Sequence, residues 1–381
     1  MNSRYNNINT IISSGNDEKA IEKASEILKK GGLVAFPTET VYGLGADALN
    51  EAAAAKIYAA KGRPSDNPLI VHIADTKAVY ELAESVPEKA VMLMEAFWPG
   101  PLTIILNKKK IVPDGTTGGL DTVAIRMPSH PVAMKLIKES GVYIAAPSAN
   151  TSGRPSPTLA EHVIEDMNGR IDMILDGGAV GIGIESTIVD LTGENPTILR
   201  PGYITKKMLE EIIGEVTIDR AIIEPDPNLR PKAPGMKYTH YAPKGEVTIV
   251  ECEMSDVKED HNLSVIDIKP ESIKDDEIRP IDKKIIDKIN ALVTEKTAQG
   301  FKTAVIATKD NAPYYNCDNV LIVGEADKGV TISANLYAIL RKCDTIGAEY
   351  IYSEALNQNE LGGAIMNRLL KAAGHRVIKV H

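Results

Sequence analysis

Apolar residues along this chain recur with two periods, dividing it into short strands and amphipathic helices. Over residues 17–30, Ala20, Ile21, Ala24, Ile27 and Leu28 fall at helical spacing, and Gly31-Gly32 ends the segment. The run Leu33-Val34-Ala35-Phe36 predicts a short buried strand that stops at Pro37 and opens into a loop of hydroxyls and glycines, Thr38-Glu39-Thr40-Val41-Tyr42-Gly43-Leu44-Gly45. A helix is predicted over 51–60, a buried strand over 69–73, and helical segments over 76–84 and 88–96. Trp98-Pro99-Gly100-Pro101 is a turn into a strand over 102–106, with Trp98, the single tryptophan, packed beneath it. Residues 116–119 read as a flexible loop before a strand over 122–126 that ends on Arg126. A helix near 132–139, a strand over 142–145, a helix through His162 and Ile164, strands over 184–190 and 198–200, and a helix over 205–213 follow.

From about Asp219 the pattern breaks. Pro225, Pro227, Pro231, Pro234 and Pro243 interrupt any regular element, which makes 219–244 a linker of roughly 25 residues, long for a tether. Its tract Ala233-Pro234-Gly235-Met236-Lys237-Tyr238-Thr239-His240-Tyr241 mixes aromatics with a histidine and a lysine. It reads either as a linker docked on a domain surface or as a lid over the first domain's cleft. Beyond Gly245, strands over 247–250, 263–266, 303–306, 320–323, 350–352 and 377–380 alternate with helices over 282–299, 333–343 and 360–373. That is a compact α/β domain with a mostly parallel, Rossmann-like sheet. The expected division is therefore 10–218, 219–244 and 245–381.

Composition narrows the class. The 381 residues are 43% hydrophobic and 25% charged, as in soluble globular proteins, and suffice for two domains with real cores. A net charge of −9 gives no support for avid nonspecific nucleic-acid binding. Cys252, Cys317 and Cys343 form no Cys-x-x-Cys pair, which argues against structural zinc and a disulfide framework and fits a reducing compartment. The polar N-terminus lacks the apolar core of a secretory signal, and no run approaches the ~18–20 apolar residues of a membrane span. The expectation is a cytoplasmic protein with no membrane association.

Two hydroxyl-rich strand ends carry the candidate chemistry. The first, from Pro37 to Gly45, is answered by Lys61-Gly62-Arg63-Pro64-Ser65-Asp66-Asn67-Pro68, a second turn holding two cations. The other is Ala146-Pro147-Ser148-Ala149-Asn150-Thr151-Ser152-Gly153, continued by Arg154-Pro155-Ser156. Glycines admit backbone N–H groups, Lys supplies a point charge and Arg a planar fork, a combination suited to a polyanion. The first stretch would serve equally as an ordinary strand-to-helix connection with surface cations. His72 departs from a packed strand histidine only by lying just past the cationic turn. No Walker phosphate loop, no Gly-x-Ser-x-Gly elbow, no His-Glu-x-x-His and no Gly-x-Gly-x-x-Gly fingerprint occurs. The residues alone give a two-domain α/β protein that binds an anionic ligand or nucleotide.

Together, Pro37–Leu44, Lys61-Gly62-Arg63 with Asn67-Pro68-Leu69, and Ser148-Ala149-Asn150 with Ser152-Gly153 resemble the YrdC-type L-threonylcarbamoyladenylate synthases. Glu185-Ser186-Thr187, Arg200-Pro201-Gly202, Pro234–Tyr241 and Glu360–Leu369 extend the likeness over nearly the whole chain, in the long two-domain form. The resemblance implies a YrdC-like twisted mixed sheet with helices, followed by a smaller Rossmann-like α/β domain. It implies that L-threonine, bicarbonate and ATP give threonylcarbamoyl-AMP and pyrophosphate, the first step of N6-threonylcarbamoyladenosine formation in tRNA, with a separate threonylcarbamoyl transferase complex downstream. By that resemblance Lys61 and Arg63 are catalytic, and with Asn67, Thr122, Ser148, Asn150, Ser156, Arg200 and Tyr241 they bind ATP. Thr38, His72, Arg126, Ala146 and Ser186 fall on the threonine side, and Tyr238 and His240 in the lid. Mg2+ would arrive with ATP, without a protein carboxylate cage. Two other classes compete: a nucleic-acid binding module, which the net charge disfavours, and a carbamoyltransferase of the hydrogenase-maturation kind, which would need cysteine-paired zinc fingers that the cysteine spacing excludes.

Overall fold

The computed structural model describes residues 8–222, 231–234, 241–252, 283–356 and 361–380. The chain forms two compact units, Met1–Tyr238 and Thr239–His381. The elements of the first are β1 (Ile11–Ser14), α1 (Glu18–Lys29), β2 (Val34–Phe36), β3 (Gly43–Asp47), α2 (Glu51–Lys61), β4 (Ile70–His72), α3 (Val79–Leu82), α4 (Glu88–Phe97), β5 (Leu102–Asn107) and α5 (Asp114–Thr117). There follow β6 (Thr122–Arg126), α6 (Pro131–Ser140), β7 (Ile144–Ala145), α7 (Ala160–Met167), β8 (Met173–Asp176), β9 (Thr187–Asp190), β10 (Thr197–Arg200), α8 (Lys206–Ile213) and β11 (Thr217–Ile218).

Local chemistry sets the helix ends. The Asp17 side chain accepts from Lys19 N at the start of α1, and Asn50 accepts from Ala53 N at the start of α2. α2 stops where Gly62 turns left-handed at φ 63°, a conformation that a side chain would resist. α6 opens on Pro131, whose missing N–H costs nothing there, and closes at Gly141.

Strands of this unit pair in the order β1-β8-β2-β3-β7-β4-β6-β5-β9-β10-β11, a mixed sheet. β4 and β6 run parallel, whereas β3, β7 and β4 pair antiparallel in turn. Alternation along β2 and β8 gives the sheet two cores. Val34, Phe36, Met173 and Leu175 pack with Ile21, Ala24 and Leu28 of α1 and Leu136 of α6. Ala35 and Ile174 belong to the larger core with Ile57 of α2, Leu93 of α4 and Leu209 of α8. Trp98 is buried beneath its turn, and its indole N–H donates to Leu102 O at 2.7 Å.

The second unit holds β12 (Glu246–Cys252), α9 (Lys283–Ala298), β13 (Thr303–Thr308), β14 (Val320–Gly324), α10 (Gly329–Ile346), β15 (Tyr350–Glu354), α11 (Gly362–Ala372) and β16 (Val377–Val380). Its strands all pair parallel, in the order β14-β13-β15-β12-β16. At the end of β15 the buried Glu354 carboxylate accepts from Thr308 N and Oγ1 (both 2.7 Å), Asn311 Nδ2 (3.0 Å) and the Tyr315 hydroxyl (2.8 Å). Burial outweighs these donors and holds its pKa up. With four donors on two oxygens it ties β13 to β15, a structural role.

Several expectations from the sequence are corrected. Gly43–Gly45 is not loop: it pairs antiparallel with β2, because Gly45 faces Phe36 and Ile144 with no room for a side chain. Residues 116–119 are not a free loop, since Thr116 and Thr117 end the one-turn α5, are buried, and donate to Ala48 O and Leu120 O. The strand expected over 142–145 shortens to two residues, and the one over 184–190 begins at Thr187. The expected strand over 263–266 and the first residues of the helices over 282–299 and 360–373 lie outside the described residues. No helix among the described residues is long and apolar enough to cross a membrane.

Candidate active site

Lys61 is the last residue of α2 rather than part of the following turn, and its side chain is buried. Its ammonium donates to Ser148 O and Asn150 O, each at 2.5 Å, and Ser152 N donates back to Lys61 O at 2.9 Å. The second motif is thus wrapped around the end of α2. Ser148 Oγ donates to Asn150 Oδ1 at 2.5 Å, and Asn150 Nδ2 donates to Thr151 O and Arg154 O at 2.8 and 2.9 Å. Arg154 Nη1 pairs with the buried Asp166, whose other oxygen accepts from Thr151 N at 3.2 Å. Backbone bonds Leu44 N→Pro147 O and Ala149 N→Tyr42 O, both 2.8 Å, join this loop to the first motif. Arg63 Nη2 donates to Pro68 O at 3.3 Å and, at the 3.5 Å limit, to Asn67 O. Asn67 is buried, and its Oδ1 has no hydrogen-bond partner among the described residues.

A second row crosses the sheet from β7 to β9. Ala146 N donates to Ile70 O at 2.9 Å; His72 is the register partner of Arg126 across β4 and β6; Thr103 of β5 pairs with Arg126 from the other side. Thr103 Oγ1 lies 2.7 Å from Ser186 Oγ, just ahead of β9. Arg200 then fixes Ser186, donating through Nε to its carbonyl (3.0 Å) and through Nη2 to its hydroxyl (3.1 Å), with Nη1 on Pro234 O (3.3 Å). Sheet pairing therefore gathers Ala146, His72, Arg126 and Ser186 from four separate stretches.

Thr38 joins through a chain of hydroxyls. Its Oγ1 donates to Val41 O at 2.6 Å and lies 2.9 Å from Thr40 Oγ1, which accepts from Arg126 Nη1 at 3.0 Å. Arg126 Nε donates to Gly100 O at 3.3 Å, and Nη2 sits 2.6 Å from Glu39 Oε1. Burial pushes the Glu39 carboxyl up, but the Arg126 charge and backbone N–H groups outweigh it and hold the pKa low. His72 is driven down to about 3, first by burial and then by Arg126, so it is neutral at pH 7. Its Nδ1 lies 3.1 Å from Ile70 O.

Not every expected residue joins these groups. Thr122 begins β6, the opposite end from Arg126, and lies across from the entry to β4. Ser156 is buried against Glu185, donating to Oε1 at 2.6 Å. Tyr241 belongs to the second unit, where its ring packs 5.0 Å from that of Tyr337. Tyr238 and His240 lie outside the described residues. Conversely, Glu39, Thr40, Thr103 and Glu185 were not singled out from sequence. Glu39, Thr40 and Glu185 stand inside quoted motifs, whereas Thr103 sits in an apolar run with nothing to mark it.

Fold and site define a two-unit α/β protein whose first unit holds a buried lysine closing a hydroxyl-rich loop and a buried arginine on a central strand. Known proteins narrow that class. A family model described as "Telomere recombination" matches residues 26–202, and "Threonylcarbamoyl-AMP synthase, C-terminal domain" matches 204–374. Threonylcarbamoyl-AMP synthase of Bacillus subtilis (strain 168) is 47% identical over 367 residues, covering 96% of each chain. That of Pyrococcus abyssi (strain GE5 / Orsay) is 45% identical over 364 residues, covering 96% of this chain and 97% of its own. The crystal structure of P. abyssi Sua5 complexed with L-threonine superposes with a TM-score of 0.85 at 45% identity, covering 98% of this chain and 99% of the other. The chain belongs to the threonylcarbamoyl-AMP synthase family, in its two-domain form, as the motifs implied.

Proposed function

We infer that this protein condenses L-threonine, bicarbonate and ATP into threonylcarbamoyl-AMP and pyrophosphate, the first step of N6-threonylcarbamoyladenosine formation in tRNA. The observation that carries this reading is the match of both halves of the chain to threonylcarbamoyl-AMP synthases across nearly their full length. In chemical terms, threonine's amine displaces hydroxide from bicarbonate to give a carbamate and water. A carbamate oxygen then attacks the α-phosphorus, and pyrophosphate leaves. Such a reaction needs alignment and charge neutralisation rather than a protein nucleophile.

Lys61, Arg63, Asn67, Ser148 and Asn150 suit the phosphate side, the lysine as a point charge at a loop rich in backbone N–H groups. Arg200 and Ser156 steady the adjoining strand ends, and Thr122 would reach ATP from the far end of β6. Thr38, His72, Arg126, Ala146 and Ser186 suit threonine, with Arg126 taking its carboxylate. We assign 10–218 to catalysis, 219–244 with Tyr238, His240 and Tyr241 to a lid that keeps water from the carbamate, and 245–381 to the Rossmann-like domain. Among the described residues no group of three or more His, Cys, Asp or Glu could hold a metal. Mg2+ would enter with ATP and would supply charge neutralisation for the phosphates. The product, a labile mixed anhydride, calls for a separate threonylcarbamoyl transferase complex acting on tRNA in the cytoplasm.

The test is pyrophosphate release from ATP with and without threonine and bicarbonate, beside a Lys61→Ala variant. Release that needs both co-substrates and is abolished in the variant is expected. ATP left untouched by the native protein would refute the assignment.

A further inference from the structure

Part of the proline-rich tract is packed into the first unit. Of residues 231–234, Pro231, Ala233 and Pro234 are buried and Lys232 is exposed. Ala233 is fully enclosed and belongs to a cluster with Ile70 of β4, Ala124 of β6, Ile105 of β5, Ile188 of β9 and Leu199 of β10. These side chains come one from each of five neighbouring strands, so the segment lies on an apolar floor that the sheet itself builds.

That floor and the site share one face of the sheet. Ile70 and Ala124 are register partners, as are His72 and Arg126 two residues further on. Ile105 and Thr103 pair with Ala124 and Arg126 from the other side, and Ile188 pairs with both Thr103 and Arg200. Side chains two apart on a strand point the same way, which puts Ala233 on the face that carries His72, Arg126 and Thr103.

Arg200 joins the docked segment to the polar part of this face. Its Nη1 donates to Pro234 O at 3.3 Å, while Nε and Nη2 hold the carbonyl and hydroxyl of Ser186 at 3.0 and 3.1 Å. Ser186 Oγ in turn lies 2.7 Å from Thr103 Oγ1. A guanidinium is a rigid planar fork, so these three grips do not shift independently. Burial of Arg200 tightens the link, because a buried N–H that loses its acceptor is costly to leave unmade.

We propose that residues 231–234 are a working part of the site: Ala233 docks the segment on the sheet, and the Pro234 carbonyl, acting through Arg200, positions Ser186. This rests on the synthase reading and gives Ala233 and Pro234 a role that reading does not contain. Neither residue touches substrate in this account. Both are positioning residues, and their effect falls on the amino-acid end of the reaction, where Ser186 lies.

The test uses Ala233→Gln in the full chain, followed by pyrophosphate release. A glutamine has neither room nor a polar partner on the apolar floor, so the segment lifts and the Pro234 carbonyl leaves Arg200. The KM for threonine should rise about three- to tenfold, as for a weakened hydrogen bond to a charged group, with kcat within about twofold of native. The urea midpoint reported by Trp98 should stay native, because Trp98 and Ala233 belong to separate apolar clusters. An unchanged threonine KM overturns the proposal. So does a fallen midpoint, which would show that Ala233 serves the fold alone. Ala233→Gly keeps the fit and should hold the threonine KM within about twofold of native, and a value as high as that of Ala233→Gln would also overturn it. Arg200→Lys keeps the charge but loses the fork. Adding Ala233→Gln to that variant should raise the threonine KM by less than about twofold more, whereas an undiminished further rise would show that the segment does not act through Arg200. Native protein that releases no pyrophosphate removes the synthase reading and this role with it. Normal native turnover with an unaltered Ala233→Gln removes this role alone.

Discussion

Gly202→Ala offers a sharp test of how the arginine seat is built. Gly202 follows Arg200-Pro201 and is buried against the strand end that carries Ser186. A Cβ there would lie 2.5 Å from Thr187 N, 2.7 Å from Glu185 O and 2.8 Å from Ser186 C, about 0.6–0.9 Å inside ordinary contact. All three are backbone atoms, so no rotamer change relieves them. Overpacking of this kind costs about 1–3 kcal/mol, and backbone neighbours place this site at the upper end. Pushing Ser186 away also stretches its bonds to Thr103 and Arg200, each worth about 1 kcal/mol. A loss of about 3–5 kcal/mol should move the urea midpoint of this unit by on the order of 1–3 M. Trp98, buried in the same unit, reports that transition by fluorescence. The KM for threonine should rise with it, because Ser186 and Arg126 share Thr103 as a neighbour. Gly181→Ala is the control: it meets open space without left-handed strain and should be neutral or slightly stabilising. A native-like midpoint and threonine KM for Gly202→Ala would refute this account of the packing.

Asp166→Asn should loosen the loop from Asn150 to Arg154, whose Arg154 and Thr151 N both bind that carboxylate. A cost of about 1–3 kcal/mol is expected, less than for a fully buried pair because Arg154 is partly exposed. The KM for ATP should rise more than that for threonine, and equal changes in steady-state kinetics would count against the loop's place on the phosphate side. His72 makes a prediction in pH. Its pKa is about 3 in the folded protein against about 6.5 unfolded, so below pH 6.5 the unfolded chain binds the extra proton. Its contribution is fully present above pH 6.5 and is lost as the pH falls toward 3, on the order of 2 kcal/mol between pH 7 and pH 5. Urea midpoints of native protein and His72→Asn should therefore diverge at pH 7 and converge by that amount at pH 5; parallel pH curves would show that His72 is not held neutral.

What the sequence could and could not disclose follows from the range over which each residue acts. α1 and α6 were legible because their apolar stripes and capping residues lie within the helices themselves. The parallel sheet of the second unit was legible because its strands are continuous apolar runs. β3 was not: Gly43 to Gly45 has the composition of a turn, and its pairing with β2 depends on Phe36 and Ile144, distant in sequence or hidden in another strand, closing on Gly45, where no side chain would fit. β1 and β8 escaped for a related reason, since each finds its parallel partner about 160 residues away. The site divides in the same way. The Lys61 contact joins the cationic end of α2 to the hydroxyl-rich stretch from Ser148 to Gly153, both conspicuous in composition, so their partnership could be guessed before their distance was known. The arginine seat is a register effect. His72, Arg126, Thr103 and Ser186 become neighbours through four strands, and Thr103 has no local mark of function in Leu102-Thr103-Ile104-Ile105. Glu39 is the opposite case, conspicuous within its motif yet ambiguous, because a carboxylate after a strand end suggests a cap or a surface charge. Only its 2.6 Å approach to Arg126 shows it to be half of a buried ion pair.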